Sequence, residues 1–174
     1  CPVIATDKRE EGGIVSQVPP RCIGCRYCMA SCPYHARYFN WYDPKWPGAL
    51  AKVLTPDVSP RMRGVVEKCS FCHHRFMKAQ EAAVANGRDP MDLRDGDYIT
   101  SCTEACPNGA ISFGDVNNPK HKVHELIKSP YAFRLLERLG TDPQVWYLSK
   151  REWVRREGDN YLENEKTGEN KRQG

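Results

Sequence analysis

Cys22-Ile23-Gly24-Cys25-Arg26-Tyr27-Cys28-Met29-Ala30-Ser31-Cys32-Pro33 is the stretch from which the rest of the chain can be read. It spells C-x2-C-x2-C-x3-C followed by proline, the run whose thiolates hold a 4Fe-4S cluster. The spacing has a physical reason. A short loop can wrap three thiolates around one face of a cubane. The fourth cysteine lies too far round the turn and, where two clusters are present, ligates the other one. Pro33 fixes φ and turns the chain away from the loop.

A second set completes the pair. Cys69, Cys72, Cys102 and Cys106 read C-x2-C-x29-C-x3-C, again followed by a proline, Pro107. This is the same motif with an insertion between its second and third cysteines. The crossover rule assigns Cys22, Cys25, Cys28 and Cys106 to cluster one, and Cys69, Cys72, Cys102 and Cys32 to cluster two. Of the nine cysteines, only Cys1 is left over. An internal repeat accounts for it. Cys32-Pro33-Tyr34-His35-Ala36, Cys106-Pro107-Asn108-Gly109-Ala110 and Cys1-Pro2-Val3-Ile4-Ala5 share C-P-x-x-A. Cys1 therefore reads as the last cysteine of an upstream motif, serving a further iron–sulfur cluster; the alternative is a free or lipidated N-terminal cysteine. After the other two copies, Arg37-Tyr38-Phe39 and Ile111-Ser112-Phe113 are expected as strands leaving the clusters.

Three rival readings use the same residues. A disulfide framework spreads its cysteines along a short secreted chain, whereas these are clustered. Cys69-x2-Cys72 is a half-site for zinc with His73 and His74 beside it, but x2, x2, x3 spacing before proline is not a zinc pattern and would strand several thiols. Cys69-Ser70-Phe71-Cys72-His73 also matches C-x-x-C-H, the c-type haem attachment signal. Haem there would take away the cluster partners of Cys32 and Cys102; the eight-ligand count closes without haem and fails with it. His73 and His74 are otherwise two polar residues at the start of a helix.

Composition removes other classes. The longest stretches without Asp, Glu, Lys or Arg are ten residues, Tyr27 to Ala36 and Ala105 to Gly114. A membrane-spanning helix needs about 20 largely apolar residues, so the chain is not expected to cross a bilayer. Net charge is +4, but 26 basic residues are interleaved with 22 acidic ones, and no basic block points to nucleic acid. The chain opens on Cys1 without a signal peptide, the expectation for a processed or partial polypeptide.

Along the chain, residues 1–21 read as a connector, with a turn at Gly12-Gly13, a short strand at Ile14 and Val15, and a rigid entry at Pro19-Pro20. Residues 22–116 read as the two-cluster domain, with insertions at 38–66 and 73–101. Tyr38, Phe39, Trp41, Tyr42 and Trp46 either pack over the cluster loop or face a partner. Pro44, Pro47, Pro56 and Pro60 make the first insertion irregular. Phe76, Ala79, Ala83 and Val84 recur at helical spacing, so His73 to Asn86 is expected as a helix that Gly87 stops. Residues 117–149 are expected to hold helices at Lys122 to Lys128 and from Ser129-Pro130 through Leu139, then a strand at Val145 to Leu148. Residues 150–174 form a charged tail, extended or partner-wrapping. The fold class is α+β: a bacterial two-4Fe-4S ferredoxin-like core with long insertions and an extended C-terminal tail.

With these residues in hand, the chain resembles the four-cluster iron–sulfur subunits of molybdopterin-type membrane oxidoreductases, the polysulfide, dimethyl sulfoxide, nitrite and tetrathionate systems. Arg21 to Cys28 with Cys32-Pro33-Tyr34 looks like their third cysteine group. Lys68-Cys69-Ser70-Phe71-Cys72 with Arg75, then Cys102 to Pro107 and Gly109-Ala110 through Gly114-Asp115, looks like their fourth. Cys1-Pro2 matches the end of the second. Within the family, Ala36-Arg37-Tyr38-Phe39-Asn40-Trp41 and the insertions look most like the iron–sulfur subunit of the menaquinone reductase complex, and next like the corresponding part of alternative complex III. Some of the latter replace a third-group cysteine and hold a 3Fe-4S centre; this chain keeps Cys22, Cys25, Cys28 and Cys32, which favours the former.

The resemblance implies an electron-transfer subunit with no catalytic residues of its own and two 4Fe-4S clusters. Its implied partners are a molybdopterin-type large subunit, a multihaem cytochrome c and an integral membrane quinone-binding subunit, with no nucleic acid. Its implied place is peripheral, on the periplasmic side of the bacterial inner membrane. No Ser-His-Asp set, phosphate-cradling glycine loop or catalytic carboxylate pair competes with this reading. Lys68, Arg26 and Arg75 adjoin cluster ligands and would either raise potentials or make surface salt bridges. The alternatives are a stand-alone ferredoxin-type carrier and a zinc-stabilised interaction module.

Overall fold

The computed structural model describes residues 1–8 and 13–159. Gly12, expected in a turn, and the tail from residue 160 lie outside the described residues. The chain divides into two units, Cys1–Ile111 and Ser112–Gly174. Its elements are short helices and two-stranded sheets, an α+β composition.

In the first unit, β1 (Thr6–Lys8) and β2 (Val15–Gln17) pair antiparallel, with Thr6 opposite Gln17 and Lys8 opposite Val15. The segment read as a connector is thus built into the unit. Arg37 fastens it: its Nη1 donates to Thr6 Oγ1 at 3.0 Å and to Gln17 Oε1 at 2.8 Å. A 3-10 turn at Pro19–Arg21 leads into the first cysteine loop, whose third cysteine sits in α1 (Tyr27–Ala30). β3 (Tyr38–Phe39) then pairs antiparallel with β4 (Val66–Glu67). Asn40 and Gly64 continue this pairing through Asn40 N–H to Val65 O (2.9 Å) and Gly64 N–H to Asn40 O (2.8 Å). The proline-rich stretch they close off contains a single 3-10 turn, Leu50–Val53.

α2 (His73–Ala85) runs as its periodicity predicts. Phe76, Ala79 and Ala83 are buried, Val84 faces outward, and Gly87 at φ +68 ends the helix. α3 (Ser101–Glu104) is capped by Thr100, whose side chain accepts the Thr103 N–H. The core is thin: among the described residues of this unit, Ala5, Val65, Val66, Phe76, Ala79 and Ala83 are the buried apolar ones. Val66, 1% exposed, sits at its centre; full burial of one such side chain contributes about 1.5–3 kcal/mol.

In the second unit, α4 (Lys122–Leu126) buries Val123. The α-helix expected from Ser129-Pro130 through Leu139 does not form. Instead β5 (Ala132–Phe133) pairs with β6 (Tyr147–Leu148), Phe133 opposite Tyr147, and only a 3-10 turn, Glu137–Leu139, precedes Gly140. Ser-Pro opens turns as readily as helices, and here the distant strand pairing prevails. Ile111–Phe113 likewise forms no strand. The start of the expected extended tail is helical: α5 (Glu152–Asp159) lays Gly158 against the Phe133 ring, and Arg155 covers the Tyr131 ring at 5.6 Å.

Candidate metal centre

All nine cysteines are free thiols. The first loop is shaped by two left-handed residues, Gly24 at φ +71 and Arg26 at φ +62. Gly24 is needed twice over. L side chains rarely adopt its φ, and a Cβ there would collide with the Gly64 carbonyl and press on the Phe39 ring. Val66 N–H donates to Cys22 Sγ at 3.4 Å, so the strand that leads into the second motif also supports the first. Arg26 lies over the Phe39 ring at 5.2 Å and the Trp41 ring at 5.0 Å.

The second loop is also left-handed, but without glycine: Phe71 has φ +52 and Cys72 φ +54. Phe71 N–H donates to Cys69 Sγ (3.3 Å) and Ser101 N–H to Cys72 Sγ (3.3 Å), while Thr100 Oγ1 lies 3.0 Å from Cys102 Sγ. Tyr98 stands among these cysteines. Its hydroxyl donates to the Phe71 carbonyl, and its ring packs on Phe76 at 5.4 Å. Burial, and then the neighbouring Cys72, Cys69 and Cys102, push its pKa well above the usual tyrosine value. Through the Phe71 carbonyl and the Phe76 ring, Tyr98 ties the Cys69–Cys72 loop to the segment that leads into Cys102.

The C-P-x-x-A repeat is a repeat of backbone geometry. Ile4, His35 and Gly109 all adopt positive φ, at +50, +49 and +59. Each N–H reaches back to its cysteine's carbonyl: Ile4 to Cys1 at 3.5 Å, His35 to Cys32 at 3.3 Å, Gly109 to Cys106 at 3.2 Å. The next residue's N–H donates to sulfur in two copies, Ala5 to Cys1 and Ala110 to Cys106, each at 3.3 Å. Backbone N–H groups, Ala110 foremost and then Ile111, Asn108 and Gly109, hold the Cys106 thiol below its ordinary pKa.

This donor set fits an iron–sulfur cluster. Such clusters take thiolates, and N–H donors to sulfur stabilise the thiolate and tune the potential. Among the described residues no group of three His, Cys, Asp or Glu converges on a point that could hold a single metal ion. His73 opens α2 directly after Cys72. The pairing of Cys106 with the first run, and of Cys32 with the second, rests on the spacing.

Of the three basic neighbours, Arg75 bridges to Glu104 at 2.7 Å, Arg26 covers aromatic rings, and the Lys68 Nζ donates to the Cys69 carbonyl at 2.7 Å. Burial, and after it Arg37, pushes the Lys68 pKa down. The aromatic segment does both things expected of it in part: the Phe39 and Trp41 rings meet Arg26 of the cluster loop, while Tyr38, Tyr42 and Trp46 are exposed, Tyr42 at 85%. Tyr98 carried no signal in the sequence. Thr100 did, as a threonine three residues before the Thr103 whose N–H it caps.

Residues 17–38 match the family described as 4Fe-4S binding domain. The chain is 80% identical over 95% of its length to the menaquinone reductase iron–sulfur cluster-binding subunit of Nitratidesulfovibrio vulgaris, of which it covers 65%. It is 41% identical over 84% of its length to the Hdr-like menaquinol oxidoreductase iron–sulfur subunit 1 of Archaeoglobus fulgidus, covering 50% of that protein. It is 31% identical over 85% of its length to the arsenate respiratory reductase iron–sulfur subunit of a Shewanella species, covering 67%. The chain thus spans about half to two thirds of these relatives' length.

Proposed function

The chain belongs to the iron–sulfur subunits of respiratory oxidoreductases, and from that premise we propose that it holds two 4Fe-4S clusters and carries electrons between the partner subunits of a membrane-associated complex. Cys22, Cys25, Cys28 and Cys106 hold cluster one; Cys69, Cys72, Cys102 and Cys32 hold cluster two; Cys1 serves a further cluster. The observation that carries this is the doubled cysteine motif, with every thiol free and each C-P-x-x-A copy folded as the same turn. That Cys1 shares the turn of Cys32 and Cys106 supports a common role for all three.

When bound, the clusters supply one-electron chemistry. The chain's own residues position them. Gly24 lets the first loop lie on Gly64, and the N–H groups of Val66, Phe71, Ser101 and Ala110 face cysteine sulfur. The complex this reading implies contains a molybdopterin-type large subunit, a multihaem cytochrome c and an integral quinone-binding subunit. The chain sits peripherally on the periplasmic side of the inner membrane. No helix among the described residues is long and apolar enough to cross a membrane, in keeping with a peripheral place. The name of the 80% identical relative supports a menaquinone-linked complex. The exposed aromatic segment from Tyr38 to Trp46 is the surface we assign to a partner, since Trp and Tyr are enriched at interfaces.

An EPR-monitored redox titration of the anaerobically isolated complex tests this. The expected result is two magnetically coupled 4Fe-4S signals that disappear when this chain is removed. A complex that keeps all its iron–sulfur signals without the chain would refute it.

A further inference from the structure

The two C-x2-C loops place their third residue in the same left-handed region but fill it differently: Gly24 in one, Phe71 in the other. Glycine adopts that conformation freely; a phenylalanine followed by a second left-handed residue, Cys72, does not. Something must hold the second turn in place. We propose that the insertion 73–101 is a clamp for the cluster-two loop, and that Tyr98 is its positioning residue, keeping the Phe71–Cys72 turn left-handed by donating its hydroxyl to the Phe71 carbonyl.

The clamp is anchored at both ends. Tyr98 packs on Phe76, which is buried on the helix that starts directly after Cys72. Arg75, in the first turn of that helix, donates to the Ile99 carbonyl at 3.4 Å and pairs with Glu104 at 2.7 Å. The insertion therefore returns to the loop it left. Its last residues are Thr100 and Ser101, whose hydroxyl and N–H lie against Cys102 and Cys72. In the first motif the corresponding position is a glycine, packed against the Gly64 carbonyl and the Phe39 ring. The inference deepens the two-cluster reading and rests on it.

The test compares wild type, Tyr98→Phe and the double variant Tyr98→Phe/Phe71→Gly, each purified anaerobically in the complex. Iron release to a ferrous chelator is followed alongside EPR of the remaining clusters. Tyr98→Phe keeps the ring on Phe76 and removes only the donor. It should release one cluster's iron about tenfold faster, the factor carried by one lost hydrogen bond to a half-buried carbonyl, with the other cluster unchanged. Phe71→Gly should restore the wild-type rate, because glycine no longer needs the clamp. Unchanged release in Tyr98→Phe, equal acceleration of both clusters, or no rescue by Phe71→Gly would overturn the clamp while leaving the two-cluster reading intact. Wild-type protein lacking two clusters would overturn that reading and the clamp with it.

Discussion

The two cysteine loops share a motif and differ in how they are held. In the first, two residues separate each neighbouring pair among Cys22, Cys25 and Cys28. At its glycine position the support is largely backbone, Gly24 against the Gly64 carbonyl, with the Val66 N–H on Cys22 Sγ and the Phe39 ring alongside. In the second, 29 residues stand between Cys72 and Cys102, and the side chains of Tyr98, Arg75 and Thr100 join the backbone N–H groups of Phe71 and Ser101 in supporting it. Ligand spacing can be kept while the means of enforcing it change. Both loops lean on a distant segment; the one that lacks glycine at its left-handed position is met there by a side-chain donor.

Several substitutions should separate the two arrangements. Cys28→Ser has the largest expected effect: it removes cluster one and leaves cluster two, so iron falls from about eight to about four per chain. Selective loss of cluster two would contradict the crossover assignment. Gly24→Ala forces a Cβ into the Gly64 carbonyl at a φ that L residues rarely adopt. It should cost about 2–4 kcal/mol in urea unfolding and labilise cluster one first. As a control, Gly158→Ala presses a methyl into the Phe133 ring in the second unit; it should cost about 1–3 kcal/mol without altering either cluster's EPR signal.

Thr100→Val removes both the cap of α3 and the hydroxyl beside Cys102. About 1 kcal/mol of stability should be lost, and the potential of cluster two should fall relative to that of cluster one in a redox titration. The smallest effect is a pH dependence in the second insertion. The Arg88 guanidinium, and then the Arg94 N–H, hold the Asp97 carboxyl below its ordinary value of 3.8. Because the folded pKa is the lower one, the contribution is complete above 3.8 and disappears as pH falls through the folded value. Amide exchange at Arg94, corrected for the intrinsic rate, should quicken below pH 3.8, and Asp97→Asn should abolish the dependence.

What was legible in the sequence was what is local. Cysteine spacing is what nominates the ligands, because a cluster loop is a few residues long. The periodicity of Phe76, Ala79 and Ala83 identifies α2 because a helix closes its own hydrogen bonds. The C-P-x-x-A repeat was visible as letters, and the structure supplies its shared turn. What could not be read depends on distant partners. Ala132–Phe133 is a strand only because Tyr147–Leu148 lies beside it. α5 hid behind its charges: its packing comes from Gly158 meeting Phe133 and from Arg155 lying on Tyr131, neither an obvious apolar signal. Tyr98 reaches back 27 residues to the Phe71 carbonyl, and no spacing rule anticipates such a contact.

The central claim is that two 4Fe-4S clusters are held by eight thiolates paired across the motifs. Its most direct test is iron, acid-labile sulfide and zinc per chain in anaerobically purified protein. The account predicts about eight iron and eight sulfide, with any excess belonging to the cluster that Cys1 serves, and no zinc. Iron without sulfide would return the Cys69–Cys72 pair to haem, and zinc without iron would reduce the chain to a structural module; either result would contradict the account.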